Sequence, residues 1–266
     1  MVLLGALAGA MLVYPQEAAA AALAGLSLWA RAVAPSLGPF MVCMLMLSGR
    51  MGGGALPRVA MGWLCGSPGG ARLLSGEAAD GRAALHFAAL TGTMSPMFFI
   101  GTVGGWLQDA GMGWMILISH LLGAVICGLL IPGGKTQGRT APRPLSFFTT
   151  LSDCAQALLT IALCMMLGCV SARMAGCALS HLPGWAALAL QCALEVTGGV
   201  EALIAAHPPM MAPLVCGACS FGGLSILLQN AAFWQRAGLR MGQLLGVRIL
   251  HGMISFLVCL MLENFL

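Results

Sequence analysis

Four short stretches interrupt an otherwise apolar chain: "GSPGGAR" (66–72), "TGTMSP" (91–96), "LEVTGG" (194–199) and "FGGLSILLQ" (221–229). Each puts glycine, proline or both, which break helices, beside side chains that bind solutes. Ser67, Thr93, Ser95, Thr197, Ser225 and Gln229 offer neutral hydrogen-bonding groups, and Arg72 and Glu195 add one charge of each sign. Gly69 frees backbone next to Arg72. An unwound helix exposes N–H groups that attract anions on one side of the break and carbonyls that attract cations on the other. The same residues also have structural readings. Ser and Thr in membrane helices bond their own backbone or a neighbour, glycines let helices approach, and Arg72 can snorkel to headgroups. Glu195 resists such a reading. It follows "WAALALQCAL" and precedes a breaker, so it belongs inside the membrane, where a carboxylate is a proton site, a cation site or an arginine partner.

Other chemistries lack their signatures. The sequence has no phosphate loop, no nucleophile–base constellation and no zinc spacing, so no enzyme, metal site or cofactor is expected. Cys216 and Cys219 form one CxxC without a second pair. The eleven cysteines and nineteen methionines read as packing. No role is assigned to His120, His181, His207 or His251, and Asp153 and Glu201 read as solvated helix-end residues.

The elements that must position these groups are membrane helices. The chain has 266 residues, 59% hydrophobic and 8% charged, and its mean hydropathy is +0.94. Soluble domains carry about 25% charged residues. A span needs about 20 apolar residues, so there is room for roughly seven crossings. Long apolar runs without alternation choose helices over a barrel. The net charge of +4 comes from basic residues between apolar segments and is no nucleic-acid signature. Val2–Tyr14 is expected to be a short first helix that stays attached, and residues 15–36 a helix at the interface or entering at a slant.

Segments then follow in two similar series: 38–48, 56–74, 83–106 and 113–131, and after a basic linker 147–170, 185–204, 212–234 and 241–262. Each series reads plain, broken, broken, plain. The chain therefore divides into residues 1–131, the first helix plus a first repeat, the linker 132–145 with Lys135, Arg139 and Arg143, and a second repeat, 146–266. If the first broken segment of each series is a re-entrant hairpin, each half crosses an odd number of times and the halves are inverted. With the linker in the cytoplasm by the positive-inside rule, Arg50, Arg58, Arg72, Arg82, Arg236, Arg240 and Arg248 fall on that side, and Arg31 and Arg173 on the other. The expected fold is all-α: a polytopic helix bundle of two inverted-topology repeats, each with a re-entrant hairpin and a broken helix, whose interruptions meet near the midplane.

At these motifs the chain resembles the sporulation integral membrane protein YlbJ (SpoVV) family, in the nucleoside-recognition or Gate-domain group. The resemblance rests on Tyr14-Pro15, "PSLGPF" (35–40), "GSPGGAR", "GTMSPMFFI" (92–100), the glycines of 101–104, "LEVTGG" and "FGGLSILLQ". Gly92 and Thr93 stand where that family's pattern has two asparagines, and Ser67 and Arg72 where it has an aromatic residue and a lysine. The resemblance implies a role in endospore formation: movement of dipicolinate, a small aromatic dicarboxylate, across the outer forespore membrane. The expected function is thus a secondary transporter of a small organic anion, bound by Ser67, Gly69, Arg72, Thr93, Ser95, Glu195, Thr197, Ser225 and Gln229, with a proton or Na+ as coupling ion. Its surroundings are the lipid bilayer of the cell or outer forespore membrane, with a homo-oligomer admitted and no nucleic acid. A nucleoside-type transporter and a non-transporting assembly or scaffold component of a sporulation complex are the alternatives.

Overall fold

The computed structural model describes residues 2–50, 54–137, 145–179 and 181–265. Among them there is no β-strand, only an isolated antiparallel bridge between Ala78 and Thr136. The chain is a multi-pass membrane protein: five helical stretches are long and apolar enough to cross a bilayer, Pro15–Ser48, Ala110–Leu130, Phe147–Ala178, Met211–Arg236 and Met241–Phe265.

In chain order, α1 (Val2–Val13) leads into α2 (Pro15–Leu28) and α3 (Ala34–Ser48). The slanted helix and separate span expected here are instead one continuous stretch of 34 residues. A π-helical turn at Trp29–Val33, where the Ala34 N–H bonds the Trp29 carbonyl, shifts the hydrogen-bond register just ahead of Pro35, and the helix runs on. Two short helices follow, α4 (Ala55–Cys65) and α5 (Gly69–Ser75), packed on one another and neither long enough to cross. Next, α6 (Gly81–Thr91) stops at Gly92. After four non-helical residues, 92–95, the helical path resumes through a π-helical stretch, Phe98–Val103, into α7 (Gly104–Leu107). The plain helix α8 (Ala110–Leu130) closes this series.

The second series starts with α9 (Phe147–Ala178), longer than the apolar run alone indicates. Then come the paired α10 (Gly184–Leu194) and α11 (Val196–Ala205), α12 (Met211–Phe221) and α13 (Gly223–Arg236) broken at Gly222, and the plain α14 (Met241–Phe265). The packing is reciprocal: α8 lies against α12 and α14 against α6, while α5 touches α13 and α11 touches α7. The last plain helices, α8 and α14, pack on one another, and each touches the broken helices of both series.

Most of the charged side chains pair with one another or cap helices. At one end of the bundle Arg58 pairs with the buried Glu77. There Asp80 caps α6 by accepting from the Ala83 N–H at 2.8 Å and also accepts from the Lys135 N–H at 3.0 Å. These bonds, that to Ala83 first, hold the Asp80 carboxyl below the ordinary carboxylate range. The α13–α14 turn is at the same end, where Trp234, Leu239 and Leu244 pack with Val59, Leu74 and Ala83. Elsewhere Arg31 pairs with Glu201 and Arg173 with Glu17. Arg139 and Arg143 lie outside the described residues. Arg248, expected on the same side as the loop arginines and within the segment 241–262, is buried about two turns into α14.

Candidate functional site

The site begins where the α4–α5 tip meets the break in α6. Gly66 has φ +65° and ψ −172°, a conformation open to glycine alone. A Cβ there would overlap the Ser95 backbone nitrogen and lie 2.9 Å from the Ser95 Cα. With the backbones this close, the Ser67 N–H donates to the Thr93 carbonyl at 2.8 Å. The Asn230 amide of α13 donates to the Ser67 hydroxyl at 3.0 Å, tying the same tip to the other series. On the far side of the break, the Met94 N–H donates to His120 Nε2 of α8 at 3.0 Å.

Around this junction lies a cavity of about 50 Å³. Its polar lining is Ser67 from the α4–α5 tip, Ser95 from the break in α6, Glu195 and Thr197 from the α10–α11 turn, Ser225 and Gln229 from α13, and Ser36. Apolar walls come from Leu37, Met94, Phe98, Ile161, Met165 and Ile226. Ser225 is buried and its hydroxyl has no partner among the described residues. The cavity holds a few waters or the polar end of a solute; a larger solute needs it to widen.

Glu195 is 1% exposed and caps α11. One carboxylate oxygen accepts from the Thr197 N–H at 3.0 Å and the other from the Gly198 N–H at 2.6 Å. A carboxylate at a helix N-terminus satisfies orphan donors and suits the helix dipole. The consequence differs from the sequence expectation. The α11 N-terminus is occupied by the chain's own carboxylate, so it offers no open cradle to a solute anion. Glu195 also borders a second space, a cleft of about 480 Å³ among α2, α9 and α10 that includes Arg173 and Gln191. Glu195 therefore borders both cleft and cavity.

The remaining candidates are not in the cavity lining. Gly69 is buried in the first turn of α5, where a Cβ would come 2.8 Å from that of Cys65, so it serves close packing. Thr93 is buried beside the cavity, its hydroxyl unpartnered among the described residues and its carbonyl engaged by Ser67. Arg72 points away and pairs with Asp153 of α9 at 2.5 Å, the side chains being 40% and 32% exposed. Exposed pairs contribute about 0–1 kcal/mol. Arg72→Ala is therefore expected to lower the melting temperature of the detergent-solubilised protein by no more than about 3 °C. It is expected to leave solute binding unchanged, which thermal unfolding with and without ligand measures.

A second polar group was missed from sequence. His120 bonds Ser220 Oγ through Nδ1 at 2.7 Å, and His251 Nε2 meets the His120 carbonyl at 2.9 Å. Arg248 Nε donates to the Phe221 carbonyl at 2.8 Å. These side chains pin the break in α6 to the end of α12 from α8 and α14. The available signal was Arg248 itself, a charge inside the apolar segment 241–262 and followed by "ILHGMISFLVCLML", which grouping it with the cytoplasmic-side arginines left unused.

No family model matches the chain, and no solved structure matches it. The chain is 28% identical over 176 residues to "Sporulation integral membrane protein YlbJ" of Bacillus subtilis (strain 168). That match covers 56% of this chain and 43% of the relative, so the chain matches less than half of the relative's length.

Proposed function

We propose that the chain is a secondary transporter of a small organic anion of the dipicolinate type, moved with a proton during endospore formation. The observation that carries this reading is convergence. Ser67, Ser95, Glu195, Thr197, Ser225 and Gln229 come from four interrupted segments and line one cavity. Isolated hydroxyls packing against their own helices would have no reason to converge. The sporulation setting comes from the likeness to the Bacillus protein.

In this reading the two series are inverted repeats. The α4–α5 and α10–α11 pairs are re-entrant hairpins, and the reciprocal packing of α8 on α12 and α14 on α6 is the trace of their symmetry. The basic linker faces the cytoplasm. A solute carboxylate and the Glu195 carboxylate repel at close range, so they share the cavity only when one carries a proton. Glu195 then takes its proton from the 480 Å³ cleft and donates it toward the solute in the cavity. Ser225 and Gln229 hold the solute's remaining oxygens or ring nitrogen. Transport requires the cavity to open alternately to either side.

The test is dipicolinate accumulation in spores of a strain lacking its own family member, with and without this chain, at matched membrane expression. Restored accumulation that fails with Glu195→Gln supports the proposal. Normal insertion with no restoration overturns the dipicolinate reading. The hydroxyl- and amide-rich lining favours a nucleoside-type solute next, and nucleoside uptake by the same protein in proteoliposomes would establish it. Failure of both with intact protein would leave the scaffold role.

A further inference from the structure

Arg248 is 5% exposed and lies well inside α14. Among the described residues no carboxylate lies within ion-pair distance of it. Seven of the eight acidic side chains pair with Arg31, Arg58, Arg72 or Arg173 or cap helices, and the eighth, Glu263, lies near the far end of α14 itself. A buried charge with no compensation costs several kcal/mol, so something else must balance this guanidinium. The structure places two helix ends against it. Gly92 ends α6, and a Cβ there would lie 2.5 Å from Nη1. Gly222 ends α12, and a Cβ there would overlap Nη2 and lie 3.3 Å from Cζ. Nε bonds the last carbonyl of α12, at Phe221. Nη1 and Nη2 have no hydrogen-bond partner among the described residues.

A helix C-terminus carries roughly −0.5 of a charge. Two such ends, one from each series, face the guanidinium; α13 restarts directly after Gly222 and its positive end offsets part of the second, so the carbonyls nearest the guanidinium, that of Phe221 first, supply the compensation. Broken-helix C-termini facing one another inside a membrane are where transporters of this build hold a coupling metal cation. We propose that Arg248 is a tethered cation filling that position, so that the chain holds its broken helices together without sodium and is not sodium-coupled. The space beside the guanidinium, bordered by Gly92, Asn230 and Trp234, is about 10 Å³. That is room for about one water and not for an additional hydrated ion. The sodium-independence of transport rests on the transporter reading above; the tethered-cation role does not, and its test reads stability alone.

The experiment is thermal unfolding of the purified full chain in sodium, potassium and choline chloride at matched ionic strength, repeated with sodium gluconate and sodium acetate. The wild type is expected to melt at one temperature in all three chlorides. Arg248→Ala is expected to melt about 10 °C lower and to recover part of that loss in low-millimolar guanidinium, which leaves the wild type unmoved. Arg248→Lys, keeping a tethered charge, is expected to lose less than half as much. A sodium-specific rise in the wild type would overturn the proposal, as would an Arg248→Ala protein as stable as the wild type. Stabilisation by chloride or acetate over gluconate that vanishes in Arg248→Lys would also overturn it, making Arg248 an anion site. If Arg248→Ala cannot be purified, the wild-type sodium titration and Arg248→Lys decide.

Discussion

Glu195→Gln is expected to reduce uptake to background in proteoliposomes loaded with the purified chain, and to abolish the acceleration that an inward proton gradient gives the wild type. Two effects combine. The amide cannot carry the proton that lets a carboxylate solute enter beside residue 195. It also keeps only one acceptor for the two N–H groups of Thr197 and Gly198 that the carboxylate now holds. Its NH2 must face one of those donors, and a buried unsatisfied donor costs about 1–3 kcal/mol. A melting temperature lower by roughly 5 °C is expected from that loss alone. The two effects separate in the measurement. Glu195→Asp keeps the titratable group but shortens its reach, so it is expected to lose stability and retain a gradient-dependent residue of uptake. A Glu195→Gln protein that transports with the wild-type proton dependence would remove Glu195 from coupling, whatever its melting temperature.

Glu195 was also the most legible residue in the sequence, and the reason is physical. A carboxylate bounded by an apolar run and a helix breaker has few structures open to it. The breaks at 92–95 and 222 were legible on the same ground, since glycine and proline act locally. Convergence of Ser67, Ser95, Thr197, Ser225 and Gln229 on one cavity followed once the interruptions were taken to meet. What the sequence hid is direction. Arg72 and Arg248 look alike in one dimension, each a charge close to an apolar run. Only the packing shows that Arg72 turns out to Asp153 and Arg248 turns in between two helix ends. The same holds for residues 15–48. Pro35 and Pro39 argue for a boundary; the π-helical turn at Trp29–Val33 carries the helix up to Pro35, and Pro39 is accommodated inside α3. The capping role of Glu195 was hidden too. It depends on α11 restarting at the very next residue, and helix starts are set within a residue or two by hydrogen bonds that sequence patterns do not resolve.

Gly66→Ala is expected to be the most damaging small substitution in the chain, with no membrane-extractable folded protein or a melting temperature at least 10 °C below the wild type. Two penalties fall on one methyl group. The backbone at Gly66, φ +65° and ψ −172°, is a region that residues with a Cβ avoid, at a cost of about 1–3 kcal/mol. The methyl would also overlap the Ser95 backbone nitrogen, and backbone cannot swing aside as a side chain can. Relief requires the α4–α5 tip to withdraw from the break in α6. That withdrawal breaks the bond from the Ser67 N–H to the Thr93 carbonyl and pulls Ser67 from Asn230. Ser67 and Ser95 would then leave the cavity wall together. Gly76→Ala is the matched control, because a Cβ there meets nothing within 4 Å and its φ is −75°. It is expected to melt within about 2 °C of the wild type. Equal melting temperatures for the Gly66 and Gly76 variants would show that the tip is not docked where the cavity needs it. In that case the convergence of the hydroxyls, on which the transporter reading stands, would fall with it.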